Sequence, residues 1–164
     1  MNIMIDTLKS EEIEVLLHSQ IVGRIGCHST DIVYVVPISY AYDGEYIYCH
    51  GFEGKKMELM RGNPEICFQV DEMKDMSRWK SVIAWGKFEE LNDRDEKNKA
   101  LQLLLARKLP IISSITTHLG ETWPFTEGGS TELGTIPGIV FRIKIKKKTG
   151  RFESTPNLST PDFG

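Results

Sequence analysis

The chain has 164 residues, 40% of them hydrophobic and 26% charged, which fits one ordinary globular domain and excludes the disordered and fibrous classes. Its formal net charge of -3 excludes a global attraction to nucleic acid or to an anionic membrane, so any anionic ligand must be held by local charge. Apolar runs such as Leu101 to Ala106, interrupted by Gln102, fall far short of the roughly 20 residues that span a bilayer.

In chain order, the N-terminus mixes Asn2, Asp6 and Lys9 among apolar residues, which is not the pattern of a secretory signal. Ser10 followed by Glu11 and Glu12 predicts a helix start, with Ile13, Leu16 and Leu17 on its apolar face. Val22 to Cys27 and Ile32 to Tyr42 read as strands. Asp43-Gly44 supports a type I′ turn into a returning strand, Tyr46 to His50. Gly54 to Arg61 reads as a short helix, stopped by Gly62-Asn63-Pro64. Two more strands are expected at Ile66 to Val70 and Lys80 to Leu91, the second with Gly86 as a bulge or close-approach point.

Asn92 or Asp93 caps the longest helix, solvated over Arg94 to Lys99 and packed at Ala100, Leu101, Leu104 and Leu105. Ile111 to Pro137 has no sustained period and predicts an irregular excursion, followed by a last strand at Ile139 to Ile145. Residues 1–153 are expected to form one domain and 154–164 a mobile tail. Strands joined by hairpins, with helices that interrupt rather than alternate, predict a mainly β fold: an antiparallel barrel of six or more strands with appended helices.

The segment Tyr48-Cys49-His50-Gly51-Phe52-Glu53-Gly54-Lys55-Lys56 ends a strand, passes a glycine-flanked turn and opens a helix on two lysines. Glycines let backbone N–H groups approach an anion, and the helix start and the lysines add positive charge. The same lysines also fit a plain solvated surface. His50 reads either as a proton donor or acceptor beside a ligand or as a hydrogen-bonded strand-end residue. Cys27-His28 and Cys49-His50 are strand neighbours on opposite faces, and zinc spacings are absent, so no metal site is expected. GxGxxG, GxxxxGK[ST] and GxSxG motifs are also absent. Trp79 and Trp85 read as core or interface residues, and Trp123 and Phe125 as core or as the lining of an aromatic ligand site. The cysteines Cys27, Cys49 and Cys67, odd in number and spread over β-like runs, predict reduced thiols and a cytoplasmic protein.

Taken in order, Gly23-Arg24-Ile25-Gly26, Val35-Val36-Pro37-Ile38-Ser39-Tyr40, Tyr46 to Gly51 with Lys55-Lys56, Asn63-Pro64, and Trp79-Lys80-Ser81-Val82 with Trp85-Gly86 resemble the pyridoxamine 5′-phosphate oxidase-related flavoproteins. Within that family it looks most like the nitroimidazole-resistance (Nim-type) branch, and the resemblance covers roughly Ile5 to Arg151. It implies a split β-barrel homodimer that binds FMN in two equivalent clefts between subunits. It implies that Val36, Pro37, Ile38 and Ser39 run beside the isoalloxazine ring, that Lys55 and Lys56 meet the phosphate, and that His50 lies near the flavin as a candidate proton donor. Ser81, Val82 and Trp123 are further implied contacts.

The chain lacks the C-terminal arginine-rich signature by which pyridoxamine phosphate oxidases hold their vitamin substrate; Gly150-Arg151 is a poor substitute. The implied activity is therefore an FMN-dependent oxidoreductase that passes electrons from a reduced nicotinamide (NAD(P)H) or another donor to a small acceptor, such as a nitroaromatic. The competing implication is a non-catalytic module that stores or senses flavin or haem.

Overall fold

Among the described residues, seven strands build the fold and three helices with apolar stripes cover what the strands leave open. The computed structural model describes residues 4–107 and 136–155. In order these form β1 (Met4–Thr7), α1 (Ser10–Ser19), β2 (Val22–His28), β3 (Val33–Tyr42), β4 (Tyr46–Gly51), α2 (Lys55–Gly62), β5 (Glu65–Asp75), β6 (Arg78–Glu90), α3 (Arg94–Leu105) and β7 (Ile139–Ser154). All ladders are antiparallel, in the order β1-β7-β4-β3-β2-β5-β6, and β6 also pairs with β7. The sheet therefore closes into a ring of six strands, β1 lying against β7 outside it, and the fold is a split β-barrel.

β7 is the spine of this closure. Its first half, Ile139 to Lys144, pairs with β4, its last four residues pair with β1, and β6 follows it along nearly its whole length. The sequence expectation that the last strand ends at Ile145 is thus corrected, because ladder bonds to β1 and β6 hold Lys146 to Ser154 extended without an apolar run. Thr155 N–H continues the order by bonding to Ser77 C=O at 3.0 Å. β1 has no counterpart in the sequence reading; its four residues are too few to show a period. β5 and β6 reach beyond Val70 and start before Lys80, since pairing of Asp71 to Asp75 with Arg78 to Ser81 extends both strands toward their hairpin.

The barrel interior is filled by alternate residues of each strand, among them Ile25, Tyr40, Ile47, Phe68, Val82 and Phe141, all essentially buried. α1 closes one end with Ile13, Leu16 and Leu17, and the Tyr40 hydroxyl donates to Leu17 C=O at 2.7 Å. α2 contributes Met57 and Met60 to the same core, and α3 packs Ala100, Leu101 and Leu104 outside the ring near Tyr48 and Val140. Asp93 caps α3 by accepting from the N–H groups of Asp95 and Glu96.

Two local expectations shift by one residue. α1 begins on Ser10, but its cap is Lys9, whose N–H donates to the Glu12 carboxylate at 2.9 Å. Asp43 N–H still bonds to Tyr46 C=O at 3.3 Å, so the two-residue hairpin loop is Gly44-Glu45 rather than Asp43-Gly44. The Asp43 carboxylate takes the N–H groups of Glu45 and Tyr46 and the Tyr48 hydroxyl, which fixes Asp43 just past the end of the ladder. At Gly86 the β6–β7 register shifts, and an added Cβ would lie 2.4 Å from Lys144 C=O. Only glycine fits that crossing.

Candidate functional site

The barrel is split between β3 and β4. Their ladder consists of Tyr40–Cys49, Ala41–Tyr48 and Tyr42–Ile47 alone. Upstream, Val33 to Ser39 pairs with β2 on one side, and among the described residues no strand pairs with its other edge. β4 meanwhile continues through His50 and Gly51 on its ladder to β7.

Tyr40 N–H bonds toward β2, to Ile21 C=O at 3.0 Å, and Asp43 N–H bonds away from it. By the alternation of an antiparallel ladder, the backbones of Val33, Val35, Pro37 and Ser39 face the open edge. Pro37 sits there without loss, because its missing N–H would have no ladder partner. The edge offers N–H groups and carbonyls to a flat, heteroatom-rimmed ligand.

Across the split lies the turn that joins β4 to α2. Lys56 folds back over it: its Nζ lies about 3.1 Å from where a Gly51 Cβ would stand, so glycine makes room for the ammonium. Lys56 is half-buried, whereas Lys55 is exposed and pairs with Glu58 at 3.6 Å. The Lys56 charge reaches the barrel interior. Burial pushes the Cys49 thiol up to about 12 against the opposing pull of Arg107 and Lys56.

His50 is buried at 3% exposure beside the turn. Its Nε2–H donates to Pro137 C=O at 2.6 Å, and Phe52 meets the ring edge-on at 5.4 Å between centroids. Gly138, with φ of +105°, closes over it, since a Cβ there would stand 2.5 Å from Nε2. The histidine thus ties the strand end to the segment that starts β7.

The remaining residues singled out from the sequence fall in different places. Val36 and Ile38 turn their side chains inward, Pro37 is exposed on the outer face and Ser39 is half-buried. Val82 is buried in the core on β6, and Ser81 lies on the outer face, accepting from Gln69 Nε2 at 3.1 Å. Within one chain the fold brings the β3 edge and the Gly51–Lys56 turn to the split but leaves Ser81 and Val82 on a strand that does not border it. Trp123 lies outside the described residues.

Sequence reasoning missed the outer face of β2, β3, β5 and β6. There Val33, Val35, Gly26, Cys67 and Trp85 line an apolar hollow of about 500 Å³, rimmed by Arg24, His28, Glu65 and Gln69. Val33 is 81% exposed, Val35 62% and Trp85 39%. Lys147 lies over the Trp85 ring, 5.6 Å from its centroid, and Arg24 pairs with Asp71 at 2.6 Å. The available signal was the unbroken apolar run Val33 to Ile38, which marks a strand apolar on both faces rather than one.

Comparison with known proteins gives the family and the fold. The sequence profile of the pyridoxamine 5′-phosphate oxidase family matches residues 9–122. A FAD-binding protein from Mesorhizobium loti, of known crystal structure, superposes with a TM-score of 0.72 at 30% identity, covering 94% of this chain and 100% of that one. A Bacteroides thetaiotaomicron protein named for 5-nitroimidazole antibiotic resistance shares the fold at TM-score 0.69 and 18% identity, over 93% of this chain and 90% of its own. An uncharacterized protein of Rhizobium meliloti is 34% identical over 84 residues, 51% of this chain, so the match spans about half of that relative's length, 56%. Among the described residues no helix is long and apolar enough to cross a membrane.

Proposed function

Because this chain belongs to the pyridoxamine 5′-phosphate oxidase family, we propose that it binds a flavin, FMN, in the split between β3 and β4. The observation that carries this reading is the open β3 edge facing a glycine-flanked turn with two lysines. A flavin bound there would supply two-electron redox chemistry.

The chain's own groups do the positioning. Backbone N–H and C=O groups of Val35 and Ser39, with the Pro37 carbonyl between them, match the alternating donors and acceptors on an isoalloxazine rim. Lys56, held against Gly51, is set to meet the phosphate at short range; Lys55 adds a second, more solvated charge. His50 serves as a positioning residue that braces the turn through Pro137 and, as a titratable group beside the cleft, is the chain's candidate for handing a proton to a reduced acceptor.

The reading extends to a homodimer in which a second copy covers the apolar outer face around Val33, Val35 and Trp85, whose exposure is uneconomical in a monomer. The activity it supports is electron transfer from a reduced nicotinamide or another donor to a small acceptor such as a nitroaromatic. Its first test is the visible spectrum of the purified protein before and after FMN addition and desalting. Retained oxidised-flavin bands that bleach with NADPH and return with a nitroaromatic support the full reading. A protein that releases all added flavin overturns it. For His50, the test is the pH profile of turnover in His50→Asn; a profile and rate equal to wild type would remove its proton role.

A further inference from the structure

Glu53 stands in the turn between β4 and α2, immediately before the Gly54 cap and close in sequence to both lysines. A carboxylate at a helix start is drawn to the N–H groups of the first turn, which have no partner within the helix, and to neighbouring ammonium groups. Glu53 goes to neither. No side chain caps the start of α2, and Lys55 pairs with Glu58 instead. The Glu53 carboxylate is taken by Arg61 in the last turn of α2, whose Nη1 and Nη2 donate to its two oxygens at 2.8 Å each.

The hold is firmer than one surface pair. Arg61 also donates from Nε and Nη2 to Glu90, at the end of β6, at 2.9 and 3.0 Å. Gripped from both sides, the guanidinium cannot follow Glu53 back toward the lysines. An isolated exposed pair contributes little, but a two-bond pair within a network keeps its geometry. Arg61 also holds the Glu53 carboxyl below its usual range, so at neutral pH Glu53 is a full negative charge. Released, that charge would compete for the same N–H groups and ammonium that the turn offers to an anion.

We propose that Arg61 is a positioning residue for the phosphate end of the site: by holding Glu53 it keeps the first turn of α2 and Lys56 open to the ligand's phosphate. The inference rests on the flavin reading of the split. It is tested by titrating flavin-free protein with FMN and with riboflavin, which has the same ring system and no phosphate, following flavin fluorescence. The proteins are wild type, Arg61→Met, and Arg61→Met combined with Glu53→Gln; Arg61→Lys, able to hold one carboxylate but not two, carries the same comparison if the methionine variant does not fold.

Arg61→Met should weaken FMN about tenfold and leave riboflavin within about twofold, and adding Glu53→Gln should bring FMN back to within about threefold of wild type. A loss shared equally by the two flavins would show a general effect on the fold and overturn the proposal. No loss for FMN, or a loss that Glu53→Gln does not relieve, would overturn it too, with the flavin site left standing. Wild-type protein that binds neither flavin, or binds FMN no more tightly than riboflavin, would overturn the reading of the split or of its phosphate turn, and the role of Arg61 with it.

Discussion

Replacing Lys56 with methionine keeps the aliphatic stem and removes the charge. If the ammonium meets a phosphate at about 4 Å, the gross attraction is about 4 kcal/mol at the effective dielectric of a partly exposed site. After desolvation, hydrogen bonds to charged groups retain about 1.5 to 3 kcal/mol net. Lys56 is half-buried and held against Gly51, which keeps it within that range, so Lys56→Met should cost about 2 kcal/mol, or about 30-fold in Kd. Lys55 is exposed and shared with Glu58, so Lys55→Met should cost only about 1 kcal/mol, or about fivefold. Fluorescence titration with FMN at low and moderate salt measures both, with circular dichroism confirming that the variants are folded. The Lys55 loss should shrink more with salt than the Lys56 loss. An unchanged Kd for Lys56→Met, or a larger effect at Lys55 than at Lys56, would refute the assignment of the phosphate to this turn.

Gly86→Ala places a methyl group against the Lys144 carbonyl in the ladder that closes the ring, and should destabilise by about 3 kcal/mol, read as a fall of roughly 6–12 °C in Tm by calorimetry; a fall under a degree would show that the crossing can open without cost. Asp93→Ala removes the acceptor for two N–H groups of α3 and should cost about 1 kcal/mol, seen as faster amide exchange in the first turn of α3; unchanged exchange there would refute the cap. Burial pushes the Glu14 carboxyl up, but hydrogen bonds from Lys148 and Tyr42 prevail and hold it below the usual 4.5. Its contribution is therefore complete above about pH 4.5 and lost as pH falls through the folded-state value. Glu14→Gln should flatten the acid limb of the Tm-versus-pH curve, and a limb as steep as wild type would show that the tie to Lys148 and Tyr42 carries no stability.

Much of the fold was legible in the residues. Alternation marked β2 to β6, the Gly62-Asn63-Pro64 stop ended α2 as expected, and Gly86 announced the bulge, because each of these features is decided by local sterics and hydrogen bonding. The glycine-flanked lysine turn and the Pro37 segment were likewise visible, since backbone approach to a ligand and edge-strand proline leave composition traces. What the sequence by itself determined was thus a mainly antiparallel β-protein with a turn suited to an anion.

Tertiary structure alone decided that β3 and β4 part after Tyr40–Cys49, that β7 runs on to Ser154, and that Lys56 is held against the turn while Lys55 stays exposed beside Glu58. A strand's period says which side chains share a face, but not which strand lies beside it or where a ladder stops. Those are properties of residues far apart in the chain, fixed when the ring closes through β6 and β7, and the split exists only once that closure leaves one edge of β3 without a neighbour among the described residues.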